Sequence, residues 1–353
     1  MSKFLPYILT LRGAAIFFVV GVHARGNLFD WESHPGEQSF ISSFFDSREG
    51  NGTVMFIFVG GFLFQYLTHN NFEFRKYIEK KFLNVILPYI LISIPIIAFR
   101  IATNYNYALP LGFNDQSIIY RFFYYIITGL HLAPFWFISA IVLLYISAPL
   151  LHALDHPKFY KYVFPLVFIT CFFTYRSANN ANPFLSYLHY FPIYLMGMWA
   201  SHYKEKILAV DRWLLYSLLV IYASIAASGI TGWIPVSEKI TFEEVLQESL
   251  IVFNIDMLKA VILCFILMLL LYQFRGKKMP FLEILGKYSF GIFFVHCIFV
   301  FASRRIWIDI FGPIDFSLVS FFIYFAFILL ASTATVYFIK KLTGRYSRNL
   351  IGS

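Results

Sequence analysis

Apolar runs of about 20 residues, the length a helix needs to cross a bilayer, recur along this chain from one end to the other. That recurrence leaves few folds open. Inside hydrocarbon every backbone N–H and C=O must be satisfied within the protein, which confines spanning segments to helices or closed barrels. Runs this long and this uniformly apolar are helical. The chain therefore reads as an all-α, polytopic transmembrane helical bundle. Of its 353 residues 59% are hydrophobic and only 13% charged, against about 25% charged in a soluble domain. Ten spans are expected, at about 4–24, 52–69, 82–103, 133–153, 159–176, 184–203, 211–228, 249–273, 281–302 and 316–340. No polar stretch reaches the ~50 residues of a separate domain, so residues 1–353 are read as one integral-membrane domain. The N-terminus lacks a short apolar core followed by a small-residue cleavage site, and it is read as the first span.

The net charge of +9 is a topology signal here, not a nucleic-acid one, because the basic residues are scattered over short connections. The loops after even-numbered spans, together with Lys3 and the tail, hold 18 of the 28 lysines and arginines. The loops after odd-numbered spans hold 8, and Arg12 and Lys259 lie within spans. By the positive-inside rule both termini and the even loops are expected in the cytoplasm. The first outer loop is acidic, with Asp30, Glu32, Glu37, Asp46 and Glu49. Residues 117–128 are too few to span and are expected to form a re-entrant or interfacial helix on the outer side. A further outer segment, 229–248, carries Pro235 and several glutamates. Cys171, Cys264 and Cys297 all fall in apolar runs and read as buried small hydrophobes, not as a disulfide framework.

The first span, Leu9 to His23, carries an arginine and a histidine eleven residues apart. Eleven steps of 100° return almost to the starting direction, so Arg12 and His23 share one helix face, roughly 16 Å apart along the axis. An arginine at membrane depth costs about 2.5–3.5 kcal/mol and usually faces a protein-lined cavity. The pair thus suggests the wall of a polar pathway, the plain alternative being a snorkelling Arg12 and an interfacial His23. The expected topology puts His296, in the ninth span, and Asp256 with Lys259, in the eighth, at the outer level of His23. Asp256 and Lys259 are three apart and able to pair.

Three segments resemble the acyltransferase 3 family of integral membrane acyltransferases. Leu11-Arg-Gly-Ala-Ala-Ile-Phe-Phe-Val-Val-Gly-Val-His23 is similar to the family's opening helix. Val54-Met-Phe-Ile-Phe-Val-Gly-Gly-Phe-Leu63 is similar to its second helix, and Leu285-Gly-Lys-Tyr-Ser-Phe-Gly-Ile-Phe-Phe-Val-His296 to a late one. Pro134-Phe-Trp136-Phe-Ile-Ser-Ala and Pro149-Leu-Leu151 add a weaker match in the middle. The resemblance implies transfer of a short acyl group, acetyl or succinyl, from cytoplasmic acyl-CoA to a hydroxyl of a glycan or glycolipid on the outer face, at the bacterial cytoplasmic membrane. It aligns His23 and Arg12 with the family's essential histidine and arginine. Two departures stand out. Where relatives often carry paired arginines entering the third helix, this chain has Lys80-Lys81, with Asn84 where a later arginine is common. No glutamate follows Trp136, as in members without a fused hydrolase-like domain, and none is expected here.

The chemistry is consistent with those residue types. A sugar hydroxyl is barely ionised at neutral pH and needs a base, for which histidine is the usual choice. The thioester oxygen needs positive charge or donors as it becomes an oxyanion. His23 is the expected base, and Arg12 is expected to hold the pantetheine or phosphate region of the donor. Lys80 and Lys81 are candidate phosphate contacts. His296, Trp136, Asp256, Lys259, Arg121 and His131 are candidates for the cavity wall or substrate contacts. No His/Glu pair lies at i,i+4 and the cysteines are apart, so no metal is expected. The competing reading is a glycan exporter or flippase using the same polar pathway, against which stands the absence of an internal repeat. A homodimer is compatible with the sequence, nucleic acid is not an expected partner, and the bilayer is.

Overall fold

The computed structural model describes residues 5–25, 28–30, 35–45, 50–104, 109–231, 241–248 and 253–353. Nearly all of them are helical. In order these helices are α1 (Pro6–Ala24), α2 (Pro35–Phe45), α3 (Asn51–Thr68), α4 (Phe74–Lys81), α5 (Leu87–Thr103), α6 (Ile118–Thr128), α7 (Trp136–Ile146), α8 (Ala148–Leu154) and α9 (Pro157–Tyr162). They continue with α10 (Phe164–Thr170), α11 (Pro183–His202), α12 (Lys204–Leu208), α13 (Arg212–Thr231), α14 (Phe242–Glu248), α15 (Ile255–Gln273), α16 (Pro280–Phe311), α17 (Leu318–Thr343) and α18 (Ser347–Ile351). Two parallel two-residue strands, β1 (Phe29–Asp30) and β2 (Ile314–Asp315), pair Phe29 with Ile314. Glu32, Arg48, Asp46, Glu49, Pro235 and Lys239, read as outer-loop residues, lie outside the described residues.

Six helices are long and apolar enough to cross a membrane, or seven if the α7–α8 pair, bent by 59°, is one span. The protein is thus a multi-pass membrane protein, with fewer qualifying spans than the ten expected. The difference has local causes. The expected fifth span is broken into α9 and α10, each opening with a proline near its first turn. The expected sixth is α11, a full 20 residues long, whose hydropathy is lowered by Ser186, His189, Ser201 and His202. The expected seventh falls on α13, an apolar helix of 20 residues. Between α4 and α5 the chain runs through a π turn, Phe82–Ile86, in which Leu87 N–H donates back to Phe82 O. Pro88, with no N–H, follows directly.

The short helix expected over 117–128 is α6, Ile118–Thr128. Ser117 caps α6 by accepting from Tyr120 N–H, and Gly129, at φ 76°, ends it. Its Arg121, Tyr125 and Thr128 face inward while Ile118, Ile119, Phe123 and Ile127 are exposed, which is the polarity of a helix lying against lipid. Gly129 also lets the chain fold back tightly, since a Cβ there would meet Phe135 and Trp136 backbone at 2.4 Å. The three cysteines are buried and free.

Candidate functional site

Two small-residue crossings hold the centre of the bundle. A Cβ on Gly61 would lie 1.9 Å from Tyr194 O, and one on Gly197 2.0 Å from Phe58 O, so α3 and α11 pack backbone to backbone. The same holds for α1 and α16: a Cβ on Gly13 would lie 2.1 Å from Leu282 O, and one on Gly286 2.0 Å from Leu9 O. In lipid, helix association relies on such close packing because apolar burial gives no drive. These glycines sit beside the polar residues of the sequence motifs, so the crossing fixes what those residues touch.

One turn beyond Gly286, the Ser289 hydroxyl donates to Gly286 O at 3.0 Å and accepts from the Arg12 guanidinium at 2.9 Å. Further along the same pair of helices the His23 and His296 rings lie 5.3 Å apart. The contacts advance together along both chains, so α1 and α16 run in the same direction, as expected for spans one and nine. Arg12 and His23 are half-buried, as are Leu9, Phe17 and Val22 of the same helix, and each of the two touches a buried partner, Ser289 or His296. His296 is fully buried: its Nδ1–H donates to Ile292 O at 2.9 Å, leaving Nε2 as the acceptor, 3.1 Å from the Cys297 thiol.

Towards the N-terminal end of α1 the helices gather cations. Lys81 stands over the rings of Tyr145 and Tyr77, at 4.6 and 5.2 Å. It lies within electrostatic range of Arg12 and of Arg348 from α18. Arg348 in turn neighbours Lys340, which with Lys287 flanks the Tyr288 ring at 5.4 and 5.5 Å. Among the described residues none of these five pairs with a carboxylate. Lys80, by contrast, is exposed. The α18 segment is held in place by Ser353, whose hydroxyl accepts from Gly291 N–H at 3.0 Å. Neither Arg348 nor Ser289 was singled out by sequence reading, because each enters the site through a long-range contact that no local spacing encodes.

The other candidates fall elsewhere. Asp256 and Lys259 pair at 3.5 Å, as their spacing predicts, and Lys259 also donates to Ser43 O in α2 at 3.4 Å. That helix reaches the outer part of α1, where Phe45 fills the space left by Gly21. Trp136 stacks on Tyr190 at 6.0 Å under the Arg176 guanidinium, while its neighbour Phe137 packs on Phe293, next to His296. His131 and Arg121 both lie in the buried part of the segment before α7. His131 is fully enclosed, with Nε2 on Ser93 Oγ at 2.8 Å and Nδ1 on Tyr125 O at 3.1 Å. Burial pushes its pKa down to about 3. The Arg121 guanidinium caps the end of α5, donating to Asn104 Oδ1 at 2.8 Å, and is itself buried. Both residues brace the outer corner of the fold.

A family model described as an acyltransferase domain, acyltransferase 3, matches residues 5–340, nearly the whole chain. The chain belongs to the acyltransferase 3 family. No curated protein and no solved structure matches it. Membership in this family makes the protein a membrane acyltransferase, and the three resembling segments of an acyltransferase 3 member turn out to be the ones that build the two helix crossings and the His23–His296 pair.

Proposed function

We propose that this protein moves a short acyl group, acetyl or succinyl, from cytoplasmic acyl-CoA to a hydroxyl of a glycan or glycolipid on the outer face of a bacterial cytoplasmic membrane. The observation that carries the reading is the pairing of an accessible histidine at one end of α1 with unpartnered cations at the other. Like charges crowded without a carboxylate repel one another and favour an anionic ligand. Arg348, Lys340 and Lys287 at the mouth and Lys81 further in suit the phosphates of a coenzyme A moiety, as point charges or, for Arg348, as a planar fork. Arg12, held by Ser289, then meets the pantetheine arm on its way up.

At the outer end His23 takes the proton of the acceptor hydroxyl as its oxygen attacks the acyl carbonyl. The new ester bond forms, the carbon–sulfur bond of the thioester breaks, and the proton passes to the departing coenzyme A sulfur. His296, with Nδ1–H on Ile292 O and Nε2 beside the Cys297 thiol, supports the ring of His23 from the side. The test is mass spectrometry of surface polysaccharides from cells carrying the wild-type protein or His23→Ala. Loss of acyl groups with the variant still present in the membrane is the expected result. Unchanged acylation would refute the assignment of the base.

A further inference from the structure

A second polar cluster lies at the inner ends of the helices, away from the acyl-transfer residues and independent of their reading. Asp155 follows α8, and only 3% of its side chain is exposed. His69 caps the C-terminus of α3 and brings Nδ1 to 2.6 Å from Asp155 Oδ2; His202, the last residue of α11, brings Nδ1 to 3.4 Å from Oδ1. The three ligand atoms lie within 4.8 Å of one another. We propose that His69, Asp155 and His202 form a binding site for a divalent transition-metal ion, with Zn²⁺ the best fit, that clamps the inner ends of α3, α8 and α11.

Four features support a cation here. First, two imidazole nitrogens and one carboxylate are a donor set suited to zinc, with a fourth position left for water. Tetrahedral zinc, at about 2.0–2.1 Å from each ligand, separates ligand atoms by roughly 3.3 Å, close to the 3.4 Å between His202 and Asp155 and wider than the 2.6 Å between His69 and Asp155. Second, the carboxylate is already oriented from behind: Tyr160 OH donates to Oδ1 at 2.9 Å and Gln65 Nε2 to Oδ2 at 3.2 Å. Such outer partners fix a metal ligand's direction. Third, the cluster gathers the C-terminal ends of two long helices, whose dipoles favour positive charge. Fourth, the His69 side chain is 44% exposed, which gives an ion a way in from the inner surface. Loading requires each imidazole to carry its proton on Nε2, freeing the Nδ1 lone pair that now meets Asp155.

The full-length protein, purified in detergent with a tag free of histidine and stripped by a chelator, is offered Zn²⁺, dialysed and assayed for metal by mass spectrometry. About one bound equivalent is expected in the wild type, falling below about 0.2 in His69→Ala and in His202→Ala. His23→Ala and Cys297→Ser should keep the full equivalent, which separates this site from the His23, His296 and Cys297 atoms that also lie within 4.8 Å of one another. Because a variant in the His202 helix can misfold, the wild type is also loaded with Co²⁺, whose visible spectrum reports tetrahedral nitrogen and oxygen ligation directly. No metal uptake by the wild type, a full equivalent retained in His69→Ala, or loss of the ion in His23→Ala would each overturn the proposal.

Discussion

Gly286→Ala tests whether the α1–α16 crossing sets the chemistry. The new methyl carbon would lie 2.0 Å from Leu9 O, whereas ordinary contact begins at 3.4 Å, so the helices must part by about 1.4 Å at that level. The obstacle is backbone, which cannot swing aside as a side chain does. Ser289 lies on the next turn, and its 2.9 Å contact with Arg12 would stretch beyond hydrogen-bond range. Overpacking of this kind costs about 1–3 kcal/mol of stability, while a misplacement of 1 Å can cost about 100-fold in rate. The variant should therefore stay in the membrane, melt modestly lower, and lose about two orders of magnitude in acyl transfer. The assay is acyl content of surface glycans alongside a thermal shift of the purified protein. Gly276→Ala, where a Cβ meets nothing within 4 Å, is the control and should behave as wild type. A Gly286→Ala protein with near-normal acylation would show that the crossing does not govern the reaction.

Other outcomes follow from the same contacts. Lys81→Ala and Arg348→Ala should each raise the KM for the acyl donor several-fold, up to about tenfold, with Lys80→Ala near wild type; added salt should weaken the exposed Arg348 contribution most. Equal effects of Lys80 and Lys81 in steady-state kinetics would contradict the inward turn of Lys81. His131→Ala should lower the melting temperature, because the Ser93 hydroxyl loses the acceptor at 2.8 Å, a loss of about 1–3 kcal/mol, while Tyr125 O keeps the bond from Gly129 N–H. The folded fraction should keep its KM values, and a changed KM with normal melting would instead make His131 a substrate residue. Asp256→Asn leaves the buried Lys259 charge uncompensated, a loss of about 3 kcal/mol that a thermal shift would register and that a second change, Lys259→Met, should largely restore.

The sequence was most informative where chemistry and helical periodicity coincide. Arg12 and His23 were readable as one face from their spacing alone, and the expected topology brought His296 to the same level, which the 5.3 Å ring separation agrees with. Asp256 with Lys259 was a local pair and just as legible. Contacts between distant segments were not. Ser289 and Arg348 carry no local sign of their neighbours, and the different fates of Lys80 and Lys81, adjacent on α4 and about 100° apart around it, depend on which face of that helix the bundle covers. His131 and Arg121 are polar residues in a connecting segment, where exposure is the reasonable expectation, yet that segment folds into a packed corner. Span limits are least legible where prolines break an apolar run, because hydropathy averages over a break that geometry does not. The His69, Asp155 and His202 cluster was out of reach for the same reason as Arg348: three helix ends meet only once the bundle is assembled.

The glycine contacts between α1 and α16 have one more consequence. Because backbone rests on backbone, the offset between Arg12 and His23 is rigid, and the helix pair acts as a gauge between the two faces of the membrane. On the proposed reading, the arm of the donor is measured against that gauge. A longer acyl chain would carry its carbonyl no further, only its tail, so discrimination among acyl groups falls to whatever walls lie past the histidine.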